Sequence, residues 1–226
     1  MPIDISESAI TAPARSARVT EIRRRRGQVT ISFDSASPLE CDRSFEIARH
    51  LSLGDTIELP ILERLRQRAA VHVAESIGEK LLAQRPRSES ELLTRMKRRD
   101  VQMAVAKEAV ASLRERGLID DAAFARYWTE ERVRARPRAG RQIQAELRAK
   151  GVAASIAAAA TADVPDDELA EQLARKSAQR LQHDWAVYER RVGSMLLRRG
   201  FSYEVAQRAL RTAWEAPDTA SGVAEP

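Results

Sequence analysis

The sequence predicts a mostly α-helical protein built from repeated helical units, with a small β-containing domain before them. The main evidence is an apolar pattern, with steps of four or five residues, that occurs three times at spacings of 51 and 49 residues. A fixed period with one apolar template is typical of an array of a single supersecondary unit. The three copies are Leu92, Met96, Val101, Val105 and Ala109; Ile143, Leu147, Val152, Ile156 and Ala160; and Val192, Leu196, Phe201, Val205 and Ala209.

Two further features recur in the copies, and helix amphipathicity does not require them. Each copy carries basic residues before an internal break, which falls at Asp100, Gly151 and Gly200. The first two copies also share an Arg-Pro-Arg tripeptide, at residues 85–87 and 136–138. These shared features favour true repeats over a chance similarity between amphipathic helices.

The composition agrees with a helical fold and indicates a compartment. Charged residues make up 31% of the 226 residues and aromatic residues only 4%, which suits helix bundles better than sheets. Cys41 is the only cysteine, so no intramolecular disulfide forms. The sequence shows no secretion signal and no apolar run of membrane-spanning length. We therefore expect a soluble, cytoplasmic and monomeric protein.

The N-terminal part divides into a tail and a small domain. Residues 1–17 are small and polar, and we expect them to be a disordered tail. Residues 18–60 begin with period-two alternation over 19–33, which predicts a β-hairpin turning near Gly27. Short strands near Cys41 and Ile57, and a helix at 44–51, complete this domain. Because a domain of about 40 residues is too small to be stable alone, we expect it to pack on the first helical repeat.

The helical part divides into three repeats. Residues 61–119 form the first, with predicted helices at 61–84, 88–99 and 102–116. Ser88 and Glu91 have the spacing of a capping box at the start of the second of these helices. Residues 120–164 and 165–214 form the second and third repeats, and residues 215–226 form a second disordered tail.

Asp120 and Asp121 are adjacent carboxylates at the start of the second repeat. They suit either acid/base or metal chemistry, or the N-terminus of the helix that follows. We favour the second role, because aspartate accepts hydrogen bonds from the free N–H groups at a helix start. The aromatic residues that follow, Phe124, Tyr127 and Trp128, are interpreted as core residues rather than as a platform for nucleotide stacking.

Basic residues indicate a binding surface. Of the 38 basic residues 33 are arginine, and residues 126–150 carry eight positive and three negative charges. Arginine binds phosphate and carboxylate bidentately, so this density predicts a surface for DNA or an acidic protein groove; solvated helix faces are the alternative. The first-choice contact residues are Arg132, Arg134, Arg136, Arg138, Arg141, Arg148 and Lys150, and the second set is Arg85, Arg87, Arg98, Arg99, Arg198 and Arg199.

A run of four arginines, Arg23 to Arg26, lies at the predicted hairpin turn. Such a turn suits contact with DNA phosphates, but a solvated turn has the same sequence. Both interpretations stay open from the residues alone.

Motifs of catalysis are missing from the sequence. The nine glycines are scattered and form neither a phosphate-binding loop nor a dinucleotide-binding loop. His50, His72 and His183 are far apart, and no zinc-ligand spacing or nucleophile elbow occurs. We therefore expect a protein that is not an enzyme and that holds no metal or cofactor.

The run GLIDDAAFARYWTEERVRARPRAGRQIQAELRAKGV, at residues 117–152, resembles the RecX family of recombination regulators. The likeness extends over about residues 70–214, with LLAQRPRSESELLTRMKRRDV before the run and RRVGSMLLRRGFSYEVAQRAL after it. Two departures occur: Asp100 stands where the other copies have glycine, and the third copy lacks the Arg-Pro-Arg tripeptide. The resemblance implies three tandem three-helix units in an elongated, curved array.

The resemblance also implies a function in homologous recombination, DNA repair and the SOS response. A RecX protein is expected to bind the RecA recombinase filament on single-stranded DNA, within its helical groove, and to suppress filament extension, ATP hydrolysis and strand exchange. An array with an arginine-rich side is compatible with binding to an anionic nucleoprotein filament. The alternative function is that of an autonomous DNA-binding helical-repeat protein without RecA as its target.

Overall fold

The computed structural model describes residues 15–25, 27–46, 50–181 and 184–215, without the side chains of 179–181. The protein is mostly helical with a small antiparallel sheet near its N-terminus, which confirms the predicted fold class. Two compact units divide the chain. The first contains the described residues up to 84 together with 92–118, and the second contains 85–91 together with the described residues from 119 onward.

The sheet of the first unit has four antiparallel strands in the order β3-β2-β1-β4. The strands are β1 (Ser16–Arg25), β2 (Gln28–Phe33), β3 (Leu39–Asp42) and β4 (Thr56–Glu58). The predicted hairpin is confirmed, with Val19 paired to Phe33 and a left-handed backbone at Gly27. Most of the predicted tail before this sheet, and the centre of the predicted helix at 44–51, lie outside the described residues.

Three helices follow in chain order, namely α1 (Leu59–Leu82), α2 (Glu89–Lys97) and α3 (Met103–Glu115). Proline 60 stands in the first turn of α1, where its missing N–H costs no helical hydrogen bond. The buried side chains of the sheet, including Ile31 and Leu39, form one core with Leu62 and Ala69 of α1. The small β domain therefore packs on the first helix of the first repeat, as expected from its size.

The second unit contains two three-helix repeats. The second repeat consists of α4 (Asp121–Ala135), α5 (Gly140–Ala149) and α6 (Ala154–Thr161). The third consists of α7 (Asp166–Leu181), α8 (Trp185–Arg198) and α9 (Tyr203–Glu215). Phe124 is buried in one core with Ile143 and Leu147, which confirms its interpretation as a core residue. Tyr188 is buried in the other core, against Trp214.

All three predicted breaks have the same backbone conformation. Asp100, Gly151 and Gly200 have φ angles of 60°, 81° and 92°, in the left-handed region that favours glycine. After each break, the next backbone N–H reaches back over the end of the preceding helix, as from Val152 to Leu147 at 3.1 Å. This pattern is the Schellman type of helix ending, so the apolar template and the break belong to one repeated unit.

Asp120 caps α4 as predicted, because its carboxylate accepts hydrogen bonds from the N–H groups of Ala122 and Ala123. These bonds lower the pKa of Asp120, the bond from Ala123 being the strongest cause. Asp121 has a different role, since it accepts the backbone N–H of Glu89 at 2.9 Å and so caps α2. Burial raises the pKa of the Asp121 carboxyl.

The same junction occurs again between the second and third repeats. Asp166 accepts the backbone N–H of Gly140 at 2.8 Å, as Asp121 accepts that of Glu89. The carbonyl group before each glycine break also accepts a hydrogen bond, Lys150 from the Ser88 hydroxyl and Arg199 from the Ala139 N–H. Two helix starts are also capped from within: the Ser88 hydroxyl accepts the N–H of Glu91 at the start of α2, and Asp184 accepts the N–H of Val187 at the start of α8.

Candidate functional site

Three of the seven first-choice basic residues converge in the second unit. Arg132, Arg138 and Lys150 lie around the Trp128 ring and two glutamates, and Arg85 of the second set joins them. We call this group the Trp128 cluster. Its members are Arg85, Glu91, Trp128, Arg132, Arg138, Glu146 and Lys150.

Helix spacing explains much of the cluster. Trp128 and Arg132 are four residues apart on α4, so they lie on the same face of that helix. Glu146 lies on α5, and Lys150 is four residues further on at the end of the same helix. Arg138 belongs to the connection between α4 and α5, whose proline at 137 ends the α4 helix.

Two cations lie over the Trp128 ring. The Arg132 guanidinium carbon is 4.1 Å from the ring centroid, and the Lys150 ammonium nitrogen is 4.0 Å from it. Both are within the range in which a cation is attracted to an aromatic face. The Trp128 Nε1–H donates to Glu146 at 2.9 Å. The ring is half-buried against the core of the second repeat, so its role as a core residue is shared with that of a support for cations.

Glu146 and Glu91 each hold two cations. Glu146 accepts a hydrogen bond from Arg132 through Oε2 at 2.6 Å, and its Oε1 forms an ion pair with Arg138 at 2.7 Å. Glu91 accepts two bonds from the Arg85 guanidinium, at 3.1 and 3.2 Å, and one from Lys150 at 2.8 Å. Burial acts to raise the pKa of Glu91, but the bonds from Arg85 and Lys150 outweigh it and lower the pKa.

The cluster therefore holds its cationic side chains in fixed positions and carries an excess of positive charge. It contains four cationic and two anionic side chains, and the cationic side chains are between 21% and 36% exposed. Partial exposure leaves each cation accessible to an incoming anion, while the carboxylates hold its geometry before binding. The arrangement suits recognition of phosphate or carboxylate groups.

Comparison with known proteins decides the family. A family model described as the second three-helix domain of RecX matches residues 120–160, and one described as the third three-helix domain matches residues 165–210. The regulatory protein RecX of Streptomyces coelicolor is 34% identical over 155 residues, which cover 66% of this chain and 81% of that protein. The chain belongs to the RecX family.

Other RecX proteins extend this finding. The regulatory protein RecX of Thermobifida fusca is 33% identical over 147 residues, covering 63% of this chain and 80% of that protein. A crystal structure of regulatory protein RecX matches with a TM-score of 0.66 and 23% identity, over 87% of this chain and 99% of that one. RecX from Lactobacillus salivarius matches with a TM-score of 0.57 and 22% identity, over 64% and 96%. The two structures show that the fold is shared.

The other first-choice residues lie in two kinds of environment in this RecX chain. Arg136 and Arg148 are exposed and form no ion pair with any described residue, and Arg134 is exposed and pairs with Glu131. Arg141 instead donates to the backbone carbonyls of Gly200 and Phe201. Its guanidinium is therefore used in the junction between the second and third RecX domains.

The second set is also divided. Arg87 is only 6% exposed, so it contributes to packing rather than to an open surface. Arg199 donates to the carbonyl of Pro137 at 3.3 Å. Arg98 and Arg99 are exposed in the first unit, and Arg198 is exposed on α8. Of the hairpin arginines, Arg23 pairs with Glu21, and position 26 lies outside the described residues.

Glu91, Glu146 and Trp128 are the members of the cluster that the sequence did not identify as binding residues. The four-residue spacing of Trp128 and Arg132 on α4 could have predicted the cation–π pair from the sequence. The carboxylates that bind the cations come from other helices, so the spacing within α4 could not predict them. Within the described ranges, no group of three or more His, Cys, Asp or Glu side chains is placed to hold a metal ion. No helix in those ranges is both long enough and apolar enough to cross a membrane.

Proposed function

We propose that this RecX protein is a negative regulator of RecA that binds in the groove of the RecA filament on single-stranded DNA. Binding there suppresses filament extension, ATP hydrolysis and strand exchange. Membership of the RecX family supports the regulatory role, since the relatives are named regulatory proteins. The observation that carries the proposal is the Trp128 cluster, an ordered and partly exposed group of cations with two positive charges in excess.

We assign the contact with the RecA filament to the surface of the second RecX domain that carries the Trp128 cluster. Exposed Arg134, Arg136 and Arg148 lie on the same repeat as the cluster and supply further positive charge. A nucleoprotein filament presents phosphates and acidic side chains, and arginine binds both with paired hydrogen bonds. Because the cluster cations are already held by Glu91 and Glu146, less side-chain entropy is lost when an anion binds.

The mechanism is occupancy rather than chemistry. A protein that binds a non-extending form of the filament more tightly than the extending form shifts the population toward the non-extending form. Binding in the filament groove blocks the next addition step, and it slows ATP turnover because fewer active filament subunits are present. This regulation requires no nucleophile, general base or bound metal in the regulator itself.

A second function, autonomous binding of DNA without RecA as target, is favoured by the same excess of arginine. The two functions differ in their dependence on salt. Binding that depends mainly on phosphates weakens steeply as salt rises, whereas a protein interface with an apolar core persists better. The comparison requires the same concentration range of salt for both partners.

The test measures RecA ATP hydrolysis on single-stranded DNA with the RecX protein added well below the RecA concentration. Binding to the same DNA without RecA is measured in parallel by fluorescence anisotropy. We expect inhibition at concentrations that leave bare DNA unbound. Unchanged ATP hydrolysis together with tight binding to bare DNA would reject the proposal and establish the second function.

A pair of charge reversals locates the surface. Arg136→Glu with Arg148→Glu changes two exposed side chains that form no ion pair with the described residues, so the fold should be retained. The matched control is Arg95→Glu with Lys107→Glu, which makes the same charge change at exposed positions of the first unit. We expect the first pair to weaken inhibition by about tenfold or more and the control to retain it. Equal losses from both pairs would mean that net charge alone decides binding.

A further inference from the structure

The break of the first repeat has the same backbone as the other two. Asp100 has φ 60°, and the Val101 N–H bonds to the Met96 carbonyl at 3.2 Å, as the Phe201 N–H bonds to that of Leu196 at 3.2 Å. What differs is the residue at the break, which is aspartate in place of glycine. An aspartate at this φ is strained relative to glycine, so its presence requires an explanation.

In the second unit, each glycine break lies against the start of another helix. A Cβ added to Gly151 would lie 2.2 Å from the Ser90 Cβ, and one added to Gly200 would lie 2.6 Å from the Gln142 Cβ. Arg141, next to Gln142, donates to the carbonyls of Gly200 and Phe201. These breaks therefore serve as docking surfaces for the first turn of a helix, and an arginine can satisfy their free carbonyls.

The first unit contains the counterpart of this surface as a groove of about 790 Å³. One wall comes from the sheet, with Thr30 and Glu40 among its residues, and the other comes from α1 and the break at Asp100 and Val101. Because the repeat spacing is 51 residues, the lining residues from α1 and from the break can be matched to residues of α4 and of the Gly151 break in the second repeat. Ala70, Val73, Ile77, Asp100 and Val101 correspond to Asp121, Phe124, Trp128, Gly151 and Val152.

The groove exposes apolar surface. Val73 is 38% exposed, whereas its counterpart Phe124 is 1% exposed because it is buried in the core of its own repeat with Ile143 and Leu147. Asp100 and Val101 line this open groove, whereas Gly151 lies against Ser90. A side chain is tolerated at this break because the close contact that excludes one elsewhere is not made.

The groove is acidic, although the chain as a whole has a net charge of +5. Its charged lining consists of the four acidic side chains Glu40, Asp42, Glu63 and Asp100 and the two basic side chains Arg66 and Lys80. Arg66 is already paired with Glu63 and bonded to the Ser37 carbonyl. Hydrogen bonds from the Ser44 backbone and hydroxyl lower the pKa of Asp42, so this carboxylate is ionised at neutral pH. The charge therefore favours a cationic occupant.

We propose that this groove binds an arginine-bearing segment of a partner protein. The guanidinium lies against the carbonyls of Asp100 and Val101, as Arg141 lies against those of Gly200 and Phe201, and the Asp100 carboxylate neutralises it. The aliphatic part of the arginine covers Val73 and Ile77. Ser90 and Gln142 approach Gly151 and Gly200 closely because glycine has no Cβ. The Cβ of Asp100 keeps the backbone of the partner further away, so a long side chain is needed to reach the carbonyls of Asp100 and Val101.

The probe for this proposal is a fluorescein-labelled peptide of sequence RARPRAGRQIQ, which is residues 134–144 and contains the segment that docks at Gly200. Its binding to the full chain is measured by fluorescence polarisation. Asp100→Asn removes the charge but keeps the Cβ and a residue that tolerates the left-handed backbone. We expect this change to weaken binding by about tenfold, as for loss of a charge-assisted hydrogen bond, and Val73→Lys to abolish it.

Two controls make the result decisive. The first control, Glu115→Gln, changes an exposed carboxylate of α3 that lies outside the groove, and it should leave peptide binding unchanged. The second control is a peptide with alanine in place of Arg141. It should bind the unchanged protein no more tightly than the original peptide binds the Asp100→Asn variant. No saturable binding at concentrations up to about 1 mM, or equal binding by all variants, overturns the proposal. A dimer of this chain that Asp100→Asn dissociates in sedimentation would also overturn it, because the occupant would then be a second copy.

Discussion

Replacing Gly151 with alanine tests how closely the repeats approach one another at a break. Gly151 has φ 81°, and an added Cβ would lie 2.2 Å from the Ser90 Cβ and 2.6 Å from its Oγ. Gly117 offers a matched control, because it has φ 72° but no atom within 4 Å of an added Cβ. The two substitutions share the conformational penalty and differ in the steric one.

The expected magnitudes follow from these two contributions. A non-glycine residue in the left-handed region costs about 1–2 kcal/mol, which is the whole effect expected for Gly117→Ala. At Gly151 the same cost is joined by overpacking against Ser90, which adds about 1–3 kcal/mol. Gly151→Ala should therefore destabilise its unit by about 2–5 kcal/mol.

Urea denaturation followed by tryptophan fluorescence measures the second unit, because all three tryptophans, at 128, 185 and 214, lie in it. Gly117→Ala lies in the first unit and is followed by far-ultraviolet circular dichroism. Ser90→Gly removes the Cβ that clashes, so the double variant should recover about 1 kcal/mol or more relative to the sum of the single effects. If the Gly151→Ala and Ser90→Gly effects simply add, the close approach of the two segments contributes nothing and our reasoning about the junction is wrong.

Three further predictions concern single side chains. Asp100→Gly should stabilise the first unit by about 0.5–1 kcal/mol, since glycine relieves the left-handed strain; a lower midpoint in thermal circular dichroism would contradict this. The folded-state pKa of Glu91 is lowered, so its contribution to stability is present above its ordinary pKa and is lost as pH falls; Glu91→Gln should flatten the acid side of the stability profile from fluorescence-monitored urea titrations. Burial raises the pKa of Tyr188 to about 12, so stability should fall as pH rises from its ordinary value of 10.0 toward 12, and Tyr188→Phe should reduce that loss in the same titrations.

The repeat pattern was sufficient to predict the helices because it records which side of each helix is buried. Leu92, Ile143 and Val192 occupy equivalent positions, and all three are buried. The breaks were equally visible, because a helix ending in a left-handed residue selects glycine or, at a cost, aspartate. The hairpin was predicted correctly from Val29, Ile31 and Phe33, whose period-two spacing places them on one buried face.

Partners that come from distant parts of the chain were not predictable in the same way. Arg87 and Arg138 occupy equivalent places in the two Arg-Pro-Arg tripeptides, yet Arg87 is buried and Arg138 is half-exposed and pairs with Glu146. Asp121 was correctly interpreted as structural, but the helix that it caps begins 32 residues earlier in the chain. Sequence periodicity fixes the orientation of a side chain on its own helix, whereas an ion pair depends on how two elements meet.

The self-capped start of α8 determines how the array can be extended. At the starts of α2 and α5, one backbone N–H donates to an aspartate of the repeat that follows, so each of these repeats receives one helix cap from its successor. Asp184 finishes the end of the third repeat from within. A duplicated middle repeat inserted between the second and third would both receive and supply such an aspartate cap, whereas α8 takes its side-chain cap from its own Asp184. We therefore expect longer arrays to form more readily by insertion of a middle repeat than by addition after the third repeat.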